Sequence, residues 1–266
     1  MDGIKLNALC VRAVDYKDNK TLLTLCTAEK GKINASIRGV KSEKSKLRFA
    51  ASLLCFGEYI LNEKNGYYTV VNCTPIDGFY EVRKDVERLY AALAAIEILD
   101  KITEENSDVS GLLFSCLNAL KEIAYGTPPL RALLEYTLKT AAECGYALNL
   151  KICPNCGAPV SREYFDAENG GGTCAGCRSR NAAPISRGAY GLLYRIVYGV
   201  NGEDSGENLS GGNINGLKDK SDDETKKNQA DAEEKYTREG LKLMHKYFSV
   251  CADARINALG QLLTLY

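Results

Sequence analysis

Two short cysteine pairs, Cys153-Pro-Asn-Cys156 and Cys174-Ala-Gly-Cys177, stand seventeen residues apart. The pattern C-x2-C-x17-C-x2-C has the spacing of a four-thiolate metal site. Each pair can fold as a tight knuckle that aims two sulfurs at one ion, and two knuckles complete the tetrahedron Zn²⁺ prefers. Glycine suits such turns: Gly157 follows the first pair, Gly170-Gly171-Gly172 leads into the second and Gly176 sits inside it, and glycine enters positive φ without steric cost. A single C-x-x-C could be a redox dithiol, whereas two at this separation favour zinc. Protein fills all four positions, leaving none open for water. The expected role of Cys153, Cys156, Cys174 and Cys177 is therefore to bind one structural zinc that folds a module over residues 150–180.

The other seven cysteines (Cys10, Cys26, Cys55, Cys73, Cys116, Cys144 and Cys251) are scattered through apolar patterns. They read as small buried thiols of a reducing cytoplasm. No run of 18 or more apolar residues indicates a membrane span, and Met1-Asp2-Gly3-Ile4-Lys5 lacks the basic-then-apolar layout of a signal peptide. A length of 266 residues with 45% hydrophobic side chains supports one large or two to three small domains.

The formal net charge of zero conceals two opposed regions. Residues 201–235 carry ten acids against five lysines, so the remainder holds 29 basic and 24 acidic side chains. Residues 30–48 alone contain seven cations and a single acid, Glu43. The acidic segment offers only Leu209, Ile214 and Leu217 as large apolar residues. Such a stretch cannot bury enough surface to offset its ordering entropy, which predicts a disordered acidic insertion over 201–235.

Residues 4–74 read as short strands between turns. Ile4, Leu6, Ala8 and Cys10 alternate; Leu22–Leu25, Lys32–Ile37, Phe56–Leu61 and Tyr67–Val71 follow, with Asn65-Gly66 as a hairpin turn. Five strands in so short a span fit an OB-fold barrel, and an SH3-like barrel fits the count almost as well. The period then becomes helical, with Val86, Leu89, Tyr90, Leu93, Ile96 and Leu99 on one stripe. Further helices are predicted over Val109–Ala124, from Thr127-Pro128-Pro129 to Gly145, over Ser186–Val200 with Ser186 as cap, and over Tyr236–Val250 and Asp253–Leu265. The fold class is α+β: a barrel domain over 1–79, then a mainly helical domain over 80–266 that holds the zinc module.

Alternation in the third strand places Ile33, Ala35 and Ile37 inward and Lys32, Asn34, Ser36 and Arg38 outward. Lys30, Lys32, Arg38, Lys41, Lys44, Lys46 and Arg48 then form a positive strip, for which phosphates are the natural partner because each contact releases counterions. On a five-stranded barrel such a strip favours single-stranded nucleic acid over a merely solvated loop. Which of Tyr16, Phe49, Tyr59, Tyr67 and Tyr68 face outward to stack on bases stays open.

Several segments together resemble the RecO family of recombination mediators. These are Tyr16-Lys17-Asp18-Asn19-Lys20-Thr21-Leu22-Leu23-Thr24-Leu25 with Thr27-x-Glu29-x-Gly31-Lys32, and Arg38-Gly39-Val40 with Lys44-Ser45-Lys46-Leu47-Arg48. Leu130-Arg131-Ala132-Leu133-Leu134-Glu135-Tyr136 with Gly145-Tyr146 and the two knuckles with Phe165 and Gly171-Gly172 complete the set. The likeness covers about residues 1–200; the acidic segment departs from the family's usual pattern. It implies a non-enzymatic DNA-repair protein of the nucleoid that binds single- and double-stranded DNA, anneals complementary strands and works with RecR. It also implies docking of the tail of single-stranded-DNA-binding protein and help in loading RecA. The helical domain is then expected to receive that acidic, apolar tail, with Arg131 as the cation for its carboxylate and Lys121 as a second candidate; a surface pair of Arg131 with Glu135 is the competing reading.

Catalytic signals are thin. His245 is the one histidine, on a helical stripe with Leu241, Met244 and Phe248, where a structural role is the ordinary one. The chain has no G-x-x-x-x-G-K-[ST] phosphate loop and no H-x-E beside its cysteines. An enzyme is not expected. The alternative is a zinc-ribbon adaptor that grips protein or RNA without annealing DNA.

Overall fold

The computed structural model describes residues 3–16, 19–42, 45, 47–126, 128–199 and 221–266, with side chains in the last stretch from 227 onward. They form two compact units, one of residues 1–140 with 254–266 and the other of residues 141–253. The predicted change at residue 80 is therefore a change of secondary structure within the first unit.

That unit opens with β1 (Ile4–Tyr16), β2 (Lys20–Thr27), β3 (Gly31–Arg38), β4 (Phe56–Lys64) and β5 (Tyr67–Asp77). They close into a barrel in the order β1-β2-β3-β5-β4, with β3 parallel to β5 and the other pairings antiparallel. This is the OB-fold. Alternating residues fill it: Leu6, Ala8, Leu23, Leu25, Ile33, Ile37 and Leu61 are buried. Tyr59 is buried with them, and its hydroxyl donates to the Ala50 carbonyl at 2.9 Å. A buried tyrosine needs such an acceptor.

Three helices follow: α1 (Val86–Ile102), α2 (Ser110–Tyr125) and α3 (Pro129–Glu143). Asp85 caps α1 by accepting the Arg88 amide at 2.9 Å. The predicted cap of α3, Thr127, lies outside the described residues. Short α6 (Asn257–Leu263) packs on α1, where the Glu97 carboxylate accepts the Asn257 and Ala258 amides at 3.0 and 2.7 Å. The negative charge meets the N-terminal end of the α6 dipole.

The second unit contains the knuckles, the two-residue strands β6 (Tyr164–Phe165) and β7 (Ala183–Pro184), α4 (Arg187–Tyr198) and α5 (Ser221–Cys251). Ser186 caps α4, accepting the Ala189 amide at 3.2 Å while donating to Glu239 of α5 at 2.6 Å. Leu241, Met244, Tyr247 and Phe248 of α5 are buried, and Tyr247 meets Phe165 edge-on with ring centroids 6.0 Å apart.

The start of α5 corrects the predicted insertion. Residues 221–235, expected to be disordered, continue the helix expected only from Tyr236. Ser221–Lys235 contains no glycine or proline, and the packed turns after Tyr236 supply the nucleus, after which each further residue adds a hydrogen bond at small cost. The rest of that segment, 201–220, lies outside the described residues.

Candidate nucleic-acid interface and metal centre

The β2–β3 hairpin turns through Thr27 and Gly31. The Thr27 hydroxyl accepts the Lys30 amide at 2.9 Å and donates to the Gly31 carbonyl at 3.1 Å. Gly31 has φ +66°, and a Cβ there would lie 1.9 Å from the Ser107 carbonyl oxygen, so only glycine fits. This close approach places the outer face of β3 against the end of α1. Lys32 is only 7% exposed: its ammonium pairs with the Asp100 carboxylate at 2.9 Å and donates to the Thr103 carbonyl at 2.9 Å. Arg12 approaches the same carboxylate at 3.5 Å. Lys32 alternates outward as expected, but α1 covers it and its charge is spent on the helix C-terminus. It is removed from the candidate phosphate contacts.

The opposite end of the same strands is open. Tyr16 pairs with Lys20 and Lys20 with Arg38, forming one row across β1, β2 and β3. Directly paired residues share a face, and Tyr16 and Arg38 are exposed. The next row on that face joins Val14, Leu22 and Ser36 and continues to Thr69 on β5. Among the five aromatics left open by sequence, Tyr16 and Tyr67 are exposed, Tyr59 is buried, and Phe49 and Tyr68 are half-buried. Lys30 lies 5.8 Å from the Tyr68 ring centre and 4.0 Å from the Glu63 carboxylate.

Beyond the row, Lys41 bridges to Asp15 at 3.2 Å, beside a cleft of about 580 Å³ that also meets Thr21, Arg48 and Ser52. Hydrogen bonds from Lys41 and Thr21 hold the Asp15 carboxyl below the usual carboxylate range. Arg38, Lys41 and Arg48 are therefore gathered at the open end, Lys30 lies at the other hairpin, and Lys44 and Lys46 fall outside the described residues. Lys20 is not among the sequence candidates; the strand register, which sequence spacing leaves unset, puts it beside Arg38.

On the helices, Arg131 pairs with Glu135 at 2.6 Å, the i,i+4 contact weighed against the tail site. Lys121 on α2 lines a groove of about 270 Å³ with Phe56, Ile76, Phe114 and Leu117. Phe114 is 64% exposed there.

In the second unit the sulfurs of Cys153, Cys156, Cys174 and Cys177 all lie within 4.8 Å of one another, a cluster that could hold a metal ion. The knuckles turn on backbone bonds: Gly157 donates to Cys153 O at 2.9 Å and Cys177 to Cys174 O at 3.2 Å. The Cys174 amide pulls the Cys153 thiol down to about 6, whereas hydrogen bonding with Cys174 pushes Cys177 up to about 12. A cation is the ordinary means by which four such sulfurs ionise together.

Asp166, which carried no sequence signal, organises this module. Its buried carboxylate accepts the Ser179 amide and hydroxyl at 2.7 and 2.9 Å, the Glu168 amide at 3.2 Å and Asn169 Nδ2 at 3.1 Å. Thr173 donates to it at 3.4 Å. Burial would raise its pKa, but these donors outweigh burial and hold it below the ordinary value. The carboxylate thus ties the residue before Cys174 to the loop after Cys177.

A closed five-stranded OB barrel with cations beside exposed aromatics, followed by helices and a four-cysteine cluster, defines a class: OB-fold proteins with a cysteine-knuckle helical domain. Sequence comparison narrows it. Residues 1–79 match the family described as Recombination protein O N terminal, and residues 83–204 match Recombination protein O C terminal. The chain belongs to the RecO family. It is similar to a protein named DNA repair protein RecO from Acetivibrio thermocellus, 31% identical over 202 residues, which cover 74% of this chain and 80% of the relative. A protein of the same name from Desulfitobacterium hafniense is 30% identical over 203 residues, 73% of each chain. A third, from Anaeromyxobacter sp., is 29% identical over 205 residues, 75% of this chain and 81% of the relative.

Proposed function

We propose that this chain is a non-enzymatic DNA repair and recombination mediator that binds single- and double-stranded DNA and anneals complementary strands. The observation that carries the reading is the open row of Tyr16, Lys20 and Arg38 across three barrel strands, with Lys41 and Arg48 beside it. Cations there track phosphates, which gives affinity without base preference, while an exposed ring offers a base a stacking face. Family membership supports the further steps: work with RecR, docking of the acidic, apolar tail of single-stranded-DNA-binding protein, and help in loading RecA. For that tail the groove of Phe114, Ile76 and Leu117 beside Lys121 is the better receptor, because Arg131 is engaged by Glu135.

The four cysteines hold zinc in this reading. The ligand set is all sulfur, and soft thiolates with closed coordination suit structural Zn²⁺. The metal's contribution is to fold the knuckles.

An annealing assay with complementary oligonucleotides, run without nucleotide at several salt concentrations, tests the reading. The parent protein accelerates pairing, and the Lys20→Ala/Arg38→Ala/Lys41→Ala variant slows it while retaining its melting temperature. Absence of annealing by a folded, metal-loaded parent rejects the mediator reading and leaves the adaptor.

A further inference from the structure

The tyrosines of α4 form a row of their own in the second unit. Tyr190, Tyr194 and Tyr198 recur every four residues, so they share one helix face. Tyr190 and Tyr194 are stacked with centroids 6.3 Å apart and planes 25° apart, and Tyr194 and Tyr198 approach to 4.7 Å. The row is anchored at both ends by one segment: the Tyr190 hydroxyl donates to the Leu150 carbonyl, and the Tyr198 hydroxyl accepts the Leu150 amide at 2.9 Å. Tyr190 is buried, whereas Tyr194 and Tyr198 are half-exposed.

Cations accompany these rings. Lys151 sits 4.3 Å from the Tyr198 centroid and 5.7 Å from that of Tyr194. The Arg162 guanidinium is near enough to Tyr190 to oppose the rise that burial gives its hydroxyl. The Val160 amide donates to the Lys151 carbonyl at 3.2 Å, and from there a short turn leads to half-exposed Tyr164, which carries Arg178 at 4.2 Å. Among the described residues, no carboxylate forms an ion pair with Lys151, Arg162 or Arg178. Residues 151–199 hold six basic side chains and three acidic ones, one of which, Asp166, is consumed internally. Half-exposed rings here are therefore accompanied by cations that no ion pair among the described residues neutralises.

We propose that this belt, Tyr164, Tyr194 and Tyr198 with Lys151, Arg162 and Arg178, is a second binding surface for single-stranded DNA. The rings receive bases and the cations receive the phosphates between them. Base–aromatic stacking is tolerant of sequence because every base has a π-face, and arginine on a ring stays able to contact a phosphate. A duplex hides its bases, so the belt discriminates in favour of single strands. It adds to the barrel interface and does not depend on it. A molecule with two strand-binding surfaces can hold two strands at once, as pairing them requires.

Photocrosslinking of the full-length, metal-loaded protein to an oligothymidylate carrying 5-iododeoxyuridine tests this, because the excited base couples to a stacked ring. Crosslinked peptides containing Tyr194 or Tyr164 are expected, and they persist in the Lys20→Ala/Arg38→Ala variant. Tyr194→Phe retains binding. Tyr194→Leu with Lys151→Gln weakens single-strand affinity at least about fivefold with duplex affinity unchanged and metal content retained. Crosslinks confined to residues 3–79 in the parent overturn the proposal, as does a folded double variant that keeps single-strand affinity and loses only binding to an acidic peptide. Crosslinking of the parent uses the unmodified chain, so its outcome holds whether or not the double variant folds. Loss of barrel crosslinks with retained belt crosslinks would instead count against the barrel reading alone.

Discussion

The barrel and the knuckle region place some of their positive charge differently. On the barrel Lys30, Lys32 and Lys41 each face a carboxylate, Glu63, Asp100 and Asp15 respectively. Around the knuckles Lys151 and Arg178 face aromatic rings. The two regions differ in what holds them up as well. Five long strands bury a continuous apolar core, while the knuckle region has two-residue strands and relies on turns, Asp166 and four sulfurs. The barrel's core accommodates one buried ion pair, Lys32 with Asp100, whereas the segment around the knuckles is organised by turns and would gain its rigidity from a metal held by the four sulfurs.

The largest expected effect comes from breaking the proposed metal site. Structural zinc binding is itself folding free energy, on the order of 10 kcal/mol in small modules. Cys174→Ser is expected to abolish protection from hydrogen exchange over residues 148–185 and to leave the barrel amides protected. Equal loss in both regions would show that the barrel also depends on the metal.

Lys32→Ala comes next. It leaves the Asp100 carboxylate with the more distant, exposed Arg12 at 3.5 Å, and breaking a buried pair costs up to about 3–5 kcal/mol. Urea unfolding should register that loss, while DNA affinity of the folded fraction stays unchanged. A drop in affinity at full folding would return Lys32 to the phosphate contacts.

Asp166→Ala removes the acceptor for five donors and is expected to cost about 2–3 kcal/mol, since a buried donor left unpaired bears its full desolvation penalty. The pH dependence has a definite sign. The folded pKa lies below the unfolded value near 3.9, so the carboxylate's contribution is present above about pH 4. It is lost as pH falls through the folded value. The stability gap between parent and Asp166→Asn should therefore shrink on acidification below pH 4; a gap constant to pH 3 would refute the ionised-carboxylate account.

These variants also mark how far the sequence could be read. The knuckles were legible because metal chemistry fixes both residue type and spacing, and the five strands because Ile33, Ala35 and Ile37 alternate with polar residues. Lys32 obeyed that alternation and was still misplaced, because the outer face of one strand has two ends and only tertiary packing decides which end α1 covers. Lys20 was invisible for the related reason that cross-strand register is not a local property. Asp166 looked like any loop aspartate; its partners Thr173 and Ser179 become neighbours only after the knuckles close. In the opposite direction, the acidic composition of 221–235 outweighed its lack of helix breakers, and the helix formed from the packed end.

The smallest expected effect concerns the exposed pair of Asp15 and Lys41. An exposed ion pair contributes little to stability, so Asp15→Asn should leave the unfolding curve unchanged. Its effect belongs to binding. Asp15 stays charged throughout the neutral range, because its carboxyl is held below the usual value by Lys41 and Thr21, and it stands within the open cleft that Lys41 and Arg48 line. Removing that charge frees Lys41 for one more phosphate and steepens the plot of log K against log salt by up to about 0.7 for a single strand. Affinity should rise at low salt and converge with the parent at high salt. Fluorescence anisotropy with an oligothymidylate at four or five salt concentrations makes the measurement. An unchanged slope would show that Lys41 never reaches the DNA, and the barrel contacts would then centre on Lys20 and Arg38.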